Sequence, residues 1–194
     1  MLIAESPCFS CGEYVKDESF VDFADENDTL IDQEILNDNK HLIVIKSVSK
    51  SYGVAGLRLG VLASGNVDLI STLKKDVAIW NINSFAEFYM QIFEKYKSSY
   101  AESLKMIRAE RERFQNELKQ ISNIRVISSK ANFIMVELKG NVSAKKLTTI
   151  LLVKYNILVK DLSLKLKNRN YLRFAIRNSK DNDKLLKALK KIFK

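Results

Sequence analysis

A long helical pattern near the middle of this 194-residue chain limits how it can fold more than any other feature. Between Phe85 and Ile121, apolar residues recur at steps of three and four, which places them on one face of an α-helix. The pattern is longer than most globular helices, so we expect a kink or break near residues 97–101. Its aromatic residues are expected to pack in a core. Strand-like segments lie on both sides, and we therefore divide the chain into two regions.

The region before this helix predicts part of an α/β domain. We expect a turn at Gly65 and a helix at residues 66–76, and we interpret residues 25–40 as a helical face or a loop. Three segments are predicted as strands because they are short and partly apolar or β-branched: Glu13–Phe20, His41–Val48 and Arg58–Ala63.

The region after the helix predicts a compact α+β domain from about residue 121 to residue 194. Ser143 is a plausible N-cap for the first of its helices. The predicted strands are Ile124–Ser128, Asn132–Leu138, Ile157–Lys160 and Tyr171–Ile176, and the predicted helices are Ser143–Tyr155 and Asp181–Phe193.

Composition argues against several classes of protein. Hydrophobic residues make up 46% of the chain, which is typical of a globular protein rather than a disordered one. No apolar run approaches the roughly 18 residues that a membrane helix needs. The first 20 residues lack the basic start and apolar stretch of a secretory signal. We therefore expect a soluble, cytoplasmic protein with no membrane partner.

The formal net charge of +9 favours anionic partners, either nucleic acid or small phosphorylated molecules. The lysines, however, are spread along predicted helices, and the densest group, at Lys184–Lys194, follows an amphipathic pattern. We interpret that group as a solvated helix face and expect no nucleic-acid partner, with polyanion binding as an alternative.

A CxxC pair, Cys8 and Cys11, is the other composition signal. It supplies two ligands, whereas a structural zinc usually has four, and His41 is the sole histidine. The context of a thioredoxin-like redox motif is not evident. We therefore expect two reduced thiols and no metal.

The segment Ser47–Gly60, SVSKSYGVAGLRLG, carries the residues best suited to chemistry. The preceding strand is expected to deliver Ser47 and Ser49 at alternate positions, so that both hydroxyls can point the same way. Lys50 follows directly, and Arg58 comes eight residues later. Hydroxyls and a guanidinium suit a phosphate because they donate charge-assisted hydrogen bonds in fixed directions. A lysine beside such a site can form a Schiff base when nearby positive charge or burial deprotonates its amine.

The spacing S-x-S-K-x(7)-R-x-G in this segment resembles the lysine signature of class I/II aminotransferases, which are pyridoxal-phosphate enzymes of fold type I. Every position of that signature matches without a gap. The resemblance implies pyridoxal 5′-phosphate as the cofactor, held as a Schiff base on Lys50. It also implies that Ser47, Ser49 and Arg58 bind the cofactor phosphate.

A second match lies upstream, where Val15–Phe23, VKDESFVDF, resembles the D-E-A-Y/F motif at a strand end in the same family. The resemblance implies that Asp17 pairs with the pyridine nitrogen and keeps it protonated, so that the ring can accept electrons. Phe20 stands where many relatives have a tyrosine that hydrogen-bonds the cofactor's ring oxygen. We expect this difference to tune the site.

Two matches lie downstream. Trp80–Ala86, WNINSFA, resembles the opening of the family's interdomain helix, where Asn83 is either a helix cap or a ligand. Tyr171–Phe174, YLRF, resembles the small-domain strand whose arginine clamps the substrate carboxylate, which implies Arg173 here. Tyr52 is expected to pack only.

The resemblance implies an α/β fold made of the C-terminal part of the large domain of a fold-type I enzyme, followed by an α+β small domain. We place the partial large domain at residues 1–96, the interdomain helix at 97–120 and the small domain at 121–194. The chain has about half the usual family length, so a missing N-terminal half is expected. The resemblance also implies a homodimer and, in some relatives, fusion to a nucleotidyltransferase.

The nearest branch by resemblance contains histidinol-phosphate aminotransferases and threonine-phosphate decarboxylases. We therefore expect amino-group transfer between an amino acid and a 2-oxo acid, with a phosphorylated or phosphonate-bearing amino acid as one possible substrate. Decarboxylation of a phosphorylated amino acid is the alternative within the enzyme class. A non-catalytic fragment that serves assembly is the alternative outside it. Each assigned residue also has a structural interpretation, such as a surface lysine for Lys50 or an ion-pair arginine for Arg58.

Overall fold

A computed structural model describes residues 5–7, 12–24, 29–166 and 169–194, with the backbone alone for 5–7. Cys8 and Cys11, for which we expect reduced thiols, lie outside the described residues. The chain divides into two compact units, Met1–Ser103 and Leu104–Lys194. Within the described residues, none of the helices combines the length and apolar character needed to span a bilayer.

The first unit contains a four-stranded sheet in the order β1-β2-β3-β4. β2 and β3 run parallel, while β1 pairs antiparallel with β2 and β4 pairs antiparallel with β3. The elements are β1 Glu5–Pro7, β2 Tyr14–Asp17, α1 Gln33–Asp38, β3 Leu42–Ser47, α2 Val48–Ser51, β4 Gly60–Ser64, α3 Val67–Asp76 and α4 Ser84–Phe93.

β3 is the apolar centre of this sheet, as its β-branched sequence predicts, and Ile43 and Val44 are buried. β4 lies at one edge, with Val61 and Leu62 exposed. Gly65 follows β4 at a point where a side chain has no room. A Cβ there would come within 1.9 Å of the carbonyl oxygen of Leu36, in α1. Glycine at this position therefore lets the backbone of α1 approach the end of β4.

The long helical pattern is interrupted close to the expected position. α4 ends at Phe93, a 3-10 turn covers Glu94–Tyr96, and α5 begins at Lys97 and continues to Lys119. The predicted break is therefore confirmed, and it lies directly before residues 97–101.

Phe93 and Tyr100 lie on either side of the 3-10 turn, and the rings of both contact the ring of Tyr52. The expected packing thus holds for Phe93 and Tyr100. It is wrong for Phe85, Phe88 and Tyr96, which are exposed.

The second unit contains a four-stranded antiparallel sheet in the order β5-β6-β8-β7. One face of β6 and β8 packs in a core with α5 and two further helices, through residues such as Phe114, Val136, Leu147, Phe174 and Leu189. The elements are β5 Ile124–Ile127, β6 Phe133–Leu138, α6 Ala144–Tyr155, β7 Lys160–Asp161, β8 Tyr171–Ala175 and α7 Ser179–Ile192.

Helix boundaries in this unit follow their capping residues. Ser143 accepts a hydrogen bond from the Lys146 N–H at 3.2 Å, which confirms it as the N-cap of α6. Asn178 caps α7 in the same way, through the Asp181 N–H at 2.8 Å, so α7 begins before Asp181. The strand predicted at Ile157–Lys160 is wrong, because the chain pairs only at Lys160–Asp161.

Candidate functional site

The parallel pair β2 and β3 brings two of the candidate residues, Asp17 and Ser47, to the carboxyl ends of neighbouring strands. Asp17 ends β2 in register with Ile45, two residues before Ser47 ends β3. The Ser47 N–H donates to the Ser19 hydroxyl at 3.0 Å, which joins the two segments just beyond their strands. The carboxyl ends of parallel strands are where open α/β sheets bind ligands. Asp17 is exposed there, and its Oδ1 accepts from the Ser19 N–H at 2.8 Å.

Lys50 lies in α2, a single helical turn that follows β3 directly. The turn is attached to the loop before β4, because the Val48 N–H donates to the Leu59 carbonyl at 3.2 Å. Lys50 is exposed, and its ammonium lies 4.9 Å from the ring centroid of Phe20. That distance is within the range of a cation–π contact. Phe20 therefore contributes to where the lysine side chain sits.

Arg58 and Ser47 line the same open groove, of about 440 Å³, together with Ser19, Lys46 and Gly60. Arg58 has left-handed backbone angles, φ 54° and ψ 40°. Such angles are uncommon for a residue with a side chain, and they concentrate at functional sites. Its Nη1 donates to the Ala55 carbonyl at 3.3 Å. Two residues that carry phosphate-binding groups, a hydroxyl and a guanidinium, thus line one space large enough for a phosphate.

Ser49 does not lie as the sequence predicts. β3 ends at Ser47, and Ser49 belongs to the helical turn, so the two serines are not alternate residues of one strand. Ser49 is buried, and its hydroxyl is 3.4 Å from the Leu59 carbonyl oxygen. Among the described residues, the groove lining includes Ser47 and Arg58 but not Asp17, Ser49 or Lys50.

Asp22, a carboxylate that is not among the predicted site residues, lies in a 3-10 turn after Asp17. Lys46 pairs with Asp22 at 2.5 Å, Ser51 donates to it at 2.6 Å, and Tyr100 donates at 3.0 Å. A lysine inside the apolar strand LIVIKS was the available signal, since a half-buried ammonium requires a partner. Burial above all, and then the Asp22 charge, raises the pKa of the Tyr100 hydroxyl, which stays protonated and able to donate.

Glu18, which follows Asp17, holds two segments of the first unit together. It is buried, and its carboxylate accepts hydrogen bonds from the Thr29 hydroxyl at 2.8 Å and the Leu30 N–H at 2.7 Å. These contacts attach Thr29 and Leu30 to the segment that follows β2. The acidic pair of the DESF segment therefore has one exposed member and one buried member.

Asn83 caps α4, since its Oδ1 accepts from the Ala86 N–H at 3.0 Å. Its Nδ2 donates to the Leu57 carbonyl at 2.9 Å, directly before Arg58. The side chain thus links the start of α4 to the loop that carries the arginine. Tyr52 stacks on Tyr100 with ring centroids 4.3 Å apart, as expected for a packing residue.

Arg173 lies in the second unit, on β8, where its side chain is exposed. Its register partners are Met135 on β6 and Lys160 on β7. The guanidinium lies 5.0 Å from the ring centroid of Phe133, an arrangement that holds the planar group in place. An exposed, oriented guanidinium can bind a carboxylate through two parallel hydrogen bonds.

Comparison with known proteins decides the family. The family model described as aminotransferase class I and II matches residues 14–191. The chain belongs to this family. Its members depend on pyridoxal 5′-phosphate, the cofactor that the lysine signature implies.

Two curated relatives and one solved structure illustrate the similarity. The CMP-5′-(3-aminopropyl)phosphonate synthase of Streptomyces rubellomurinus is 34% identical over 180 residues, which are 92% of this chain and 28% of that protein. The L-serine phosphate decarboxylase of Sulfurospirillum multivorans is 34% identical over 186 residues, 92% of this chain and 47% of the enzyme. The chain thus spans about half or less of the length of these relatives.

The histidinol-phosphate aminotransferase from Clostridium acetobutylicum has the same fold, with a TM-score of 0.84 at 32% identity, over 93% of this chain and 54% of that one. The predicted α/β fold of type I is therefore confirmed, and the chain corresponds to about half of such a structure. The branch predicted by resemblance is confirmed as well, because the similar proteins include both a histidinol-phosphate aminotransferase and an L-serine phosphate decarboxylase.

The residues present in the class I/II site suit the family cofactor. A phosphorylated pyridine aldehyde needs an amine for its aldehyde, a carboxylate for its ring nitrogen, and hydrogen-bond donors for its phosphate. Lys50, just after β3, and Asp17, at the end of β2, would supply the first two, and Ser47 with Arg58 would supply donors in the groove that they line. In the described residues, no group of three or more His, Cys, Asp or Glu is placed to hold a metal ion.

Proposed function

We propose that this chain is part of a pyridoxal-phosphate-dependent enzyme that transfers an amino group between an amino acid and a 2-oxo acid. The observation that carries the proposal is the position of Lys50 and Asp17. Asp17 ends β2 and Lys50 follows β3, its parallel neighbour, while Ser47 at the end of β3 lines a groove together with Arg58. This placement agrees with the roles that the lysine signature implies.

Each residue has one task in this proposal. Lys50 would hold the cofactor covalently through its aldehyde. Once the substrate amine displaces it, the free Lys50 amine would take the proton from the substrate α-carbon and return it to the former aldehyde carbon. Asp17 keeps the ring nitrogen protonated by its negative charge. When bound, the cofactor supplies the electron sink for the α-carbon's electrons.

The cofactor phosphate is bound by the remaining candidate residues of the first unit. Ser47 and Arg58 donate to the phosphate from the groove. The Ser49 hydroxyl reaches the phosphate only if it leaves the Leu59 carbonyl, to which it now points. In the second unit, Arg173 binds the substrate carboxylate as a planar fork.

Decarboxylation of a phosphorylated amino acid is the second candidate. It is favoured by the 34% identity to an L-serine phosphate decarboxylase over 92% of the chain. Incubation with glutamate and a 2-oxo acid separates the two reactions, because a transaminase yields a new amino acid and releases no CO₂. Release of CO₂ from O-phosphoserine without a new amino acid would support decarboxylation instead.

The partners of this chain are proposed from its length relative to similar proteins and from its exposed apolar residues. The chain covers between 28% and 54% of the relatives described above, so we infer that a further N-terminal half, or a fused domain such as a nucleotidyltransferase, completes the enzyme. Ile79 and Trp80 are 91% and 90% exposed, and such apolar surface suits a homodimer or the missing half. If neither is supplied, a non-catalytic fragment remains the alternative.

Borohydride trapping tests the proposal most directly. The chain is mixed with pyridoxal phosphate, its absorbance spectrum is recorded, and the mixture is reduced and mapped by mass spectrometry. We expect a pyridoxyl adduct concentrated on Lys50 and lost in Lys50→Ala. The matched control is Lys74→Ala, which removes an exposed lysine of α3 and leaves the adduct in place. Scattered labelling over many lysines would contradict the assignment of Lys50.

A further inference from the structure

The carboxylate of Asp22, in the first unit, accepts hydrogen bonds from Lys46, Ser51 and Tyr100, and the proposed chemistry does not use it. Its side chain is 16% exposed, and that of its partner Lys46 is 15% exposed. The ion pair is therefore largely removed from water, where charges interact more strongly and where an unpaired charge is costly.

Three segments meet at this carboxylate. Lys46 comes from β3, Ser51 from the helical turn α2, and Tyr100 from α5. Oδ1 receives the ammonium of Lys46, and Oδ2 receives the two hydroxyls, Ser51 at 2.6 Å and Tyr100 at 3.0 Å. Hydrogen bonds to a charged acceptor are shorter and roughly twice as strong as those between neutral groups.

The contacts lie on both sides of Lys50 in the chain. Ser51 is the next residue, and Lys46 is the residue four positions earlier. Asp22 itself follows Asp17 by five residues, on the segment that leaves β2. One carboxylate therefore connects the strand end that carries Asp17 to the turn that carries Lys50.

We propose that Asp22 is a positioning residue, which holds the Lys50 turn against the Asp17 strand and occupies the amine of Lys46. Lys50 is exposed, whereas the Lys46 nitrogen is engaged and largely buried. Of these two neighbouring lysines, Lys50 is consequently the one open to an aldehyde. This last point rests on the proposed function, but the positioning of the turn does not.

Amide hydrogen exchange of the chain without cofactor tests the positioning. In Asp22→Asn, Lys46 loses its counter-charge and the hydroxyls lose a charged acceptor. We expect exchange in residues 47–52 to rise about tenfold or more, the effect of losing a hydrogen bond to a charged group. Residues 133–138 in the second unit should be unchanged. The matched control is Asp76→Asn, an exposed aspartate at the end of α3, which should leave residues 47–52 as in the wild type.

Labelling with pyridoxal phosphate and borohydride tests the choice of lysine. Adducts are quantified separately at Lys46 and Lys50. We expect the ratio of Lys46 to Lys50 adduct to rise about tenfold in Asp22→Asn, on the same estimate, and to stay at the wild-type value in Asp76→Asn. A purely structural ion pair would change stability without changing this ratio.

Conservative variants keep the test valid if Asp22→Asn does not fold. Ser51→Ala and Tyr100→Phe each remove one donor and leave the ion pair intact, and each should raise exchange in residues 47–52 by a few fold. Wild-type exchange in the folded variants would overturn the proposal. If the wild-type chain forms no Lys50 adduct, the proposed function fails, while the exchange comparison still decides the role of Asp22.

Discussion

The ammonium of Lys50 lies 4.9 Å from the centre of the Phe20 ring, on the segment that follows the Asp17 strand. This contact packs Phe20, three residues after Asp17, against the lysine that the proposed chemistry uses. Its ring is held in turn near Phe23, with centroids 6.4 Å apart. Phe20 therefore influences both the position of the lysine and the shape of the site next to it.

A tyrosine at position 20 should strengthen retention of the cofactor. In many members of the family that the motif resembles, a tyrosine at this position hydrogen-bonds the cofactor's ring oxygen. One added hydrogen bond corresponds to about a two- to tenfold tighter apparent Kd for Phe20→Tyr. The measurement is a titration of the chain with pyridoxal phosphate, followed by absorbance. Phe20→Leu, which keeps an apolar side chain without the aromatic ring, should bind no more tightly than the wild type, and equal tightening in both variants would contradict the prediction.

Removing the guanidinium fork at position 173 should weaken substrate binding more than cofactor binding. Arg173→Lys keeps the charge and loses the planar, two-pronged geometry, so we expect about a tenfold rise in the amino acid concentration needed to release the Lys50 adduct. Arg177→Lys is the matched control, since Arg177 is exposed and pairs with Asp181 in the first turn of α7. Equal effects of the two substitutions would count against a substrate role for Arg173.

A methyl group at position 65 should destabilise the first unit. The Cβ of Gly65→Ala would lie 1.9 Å from the Leu36 carbonyl oxygen and 2.6 Å from its carbon, both backbone atoms that cannot rotate away. We expect a loss of about 1–3 kcal/mol in the free energy of unfolding, the usual range for overpacking. Urea denaturation measures it. The control is Gly56→Ala, where a Cβ meets nothing within 4 Å and stability should change little.

The second unit should lose stability in acid through Glu110. Hydrogen bonds from Arg113 first, and then from Asn182, lower the pKa of this carboxyl, although burial opposes the shift. A lowered folded pKa contributes stability that is present above the ordinary value of about 4.5 and is lost as the pH falls through the folded pKa.

Glu110→Gln should therefore cost about 1 kcal/mol at pH 7, a modest value because Arg113 is 40% exposed and water screens the pair. The difference from the wild type should shrink below about pH 4.5. Thermal unfolding at several pH values provides the comparison. Glu117→Gln, at the exposed pair with Lys190, is the control and should have a smaller effect. A difference that grows in acid would contradict the assignment.

The sequence predicted elements whose signal is local. β3 and β6 follow from runs of apolar and β-branched residues, and α6 follows from its periodicity and the Ser143 cap. The false strand at Ile157–Lys160 has the right composition, yet Leu158 is 78% exposed and the segment only begins to pair at its last residue. Apolar character alone does not reveal whether a partner strand is adjacent.

The sequence also predicted that Asp17 belongs to a strand-end motif and that Lys50 follows a strand. In the structure Asp17 ends β2 and Lys50 lies in the turn after β3. The sequence could not predict that Ser49 turns inward, since the switch from strand to helix occurs within the motif itself. Nor could it predict the contacts of Asp22, whose partners lie 24, 29 and 78 residues away. Contacts at such separations depend on how whole elements pack and leave no periodic trace.

The apolar edge strand β4 has a practical consequence for anyone who produces this chain by itself. Val61 and Leu62 are exposed, and in the described residues β3 is the strand that pairs with β4, so its outer backbone groups are available. An uncovered edge of this kind is a template onto which another polypeptide adds a strand. Recombinant preparations should therefore precipitate or form particles as they are concentrated, and a charged substitution such as Val61→Lys should raise the yield of soluble protein.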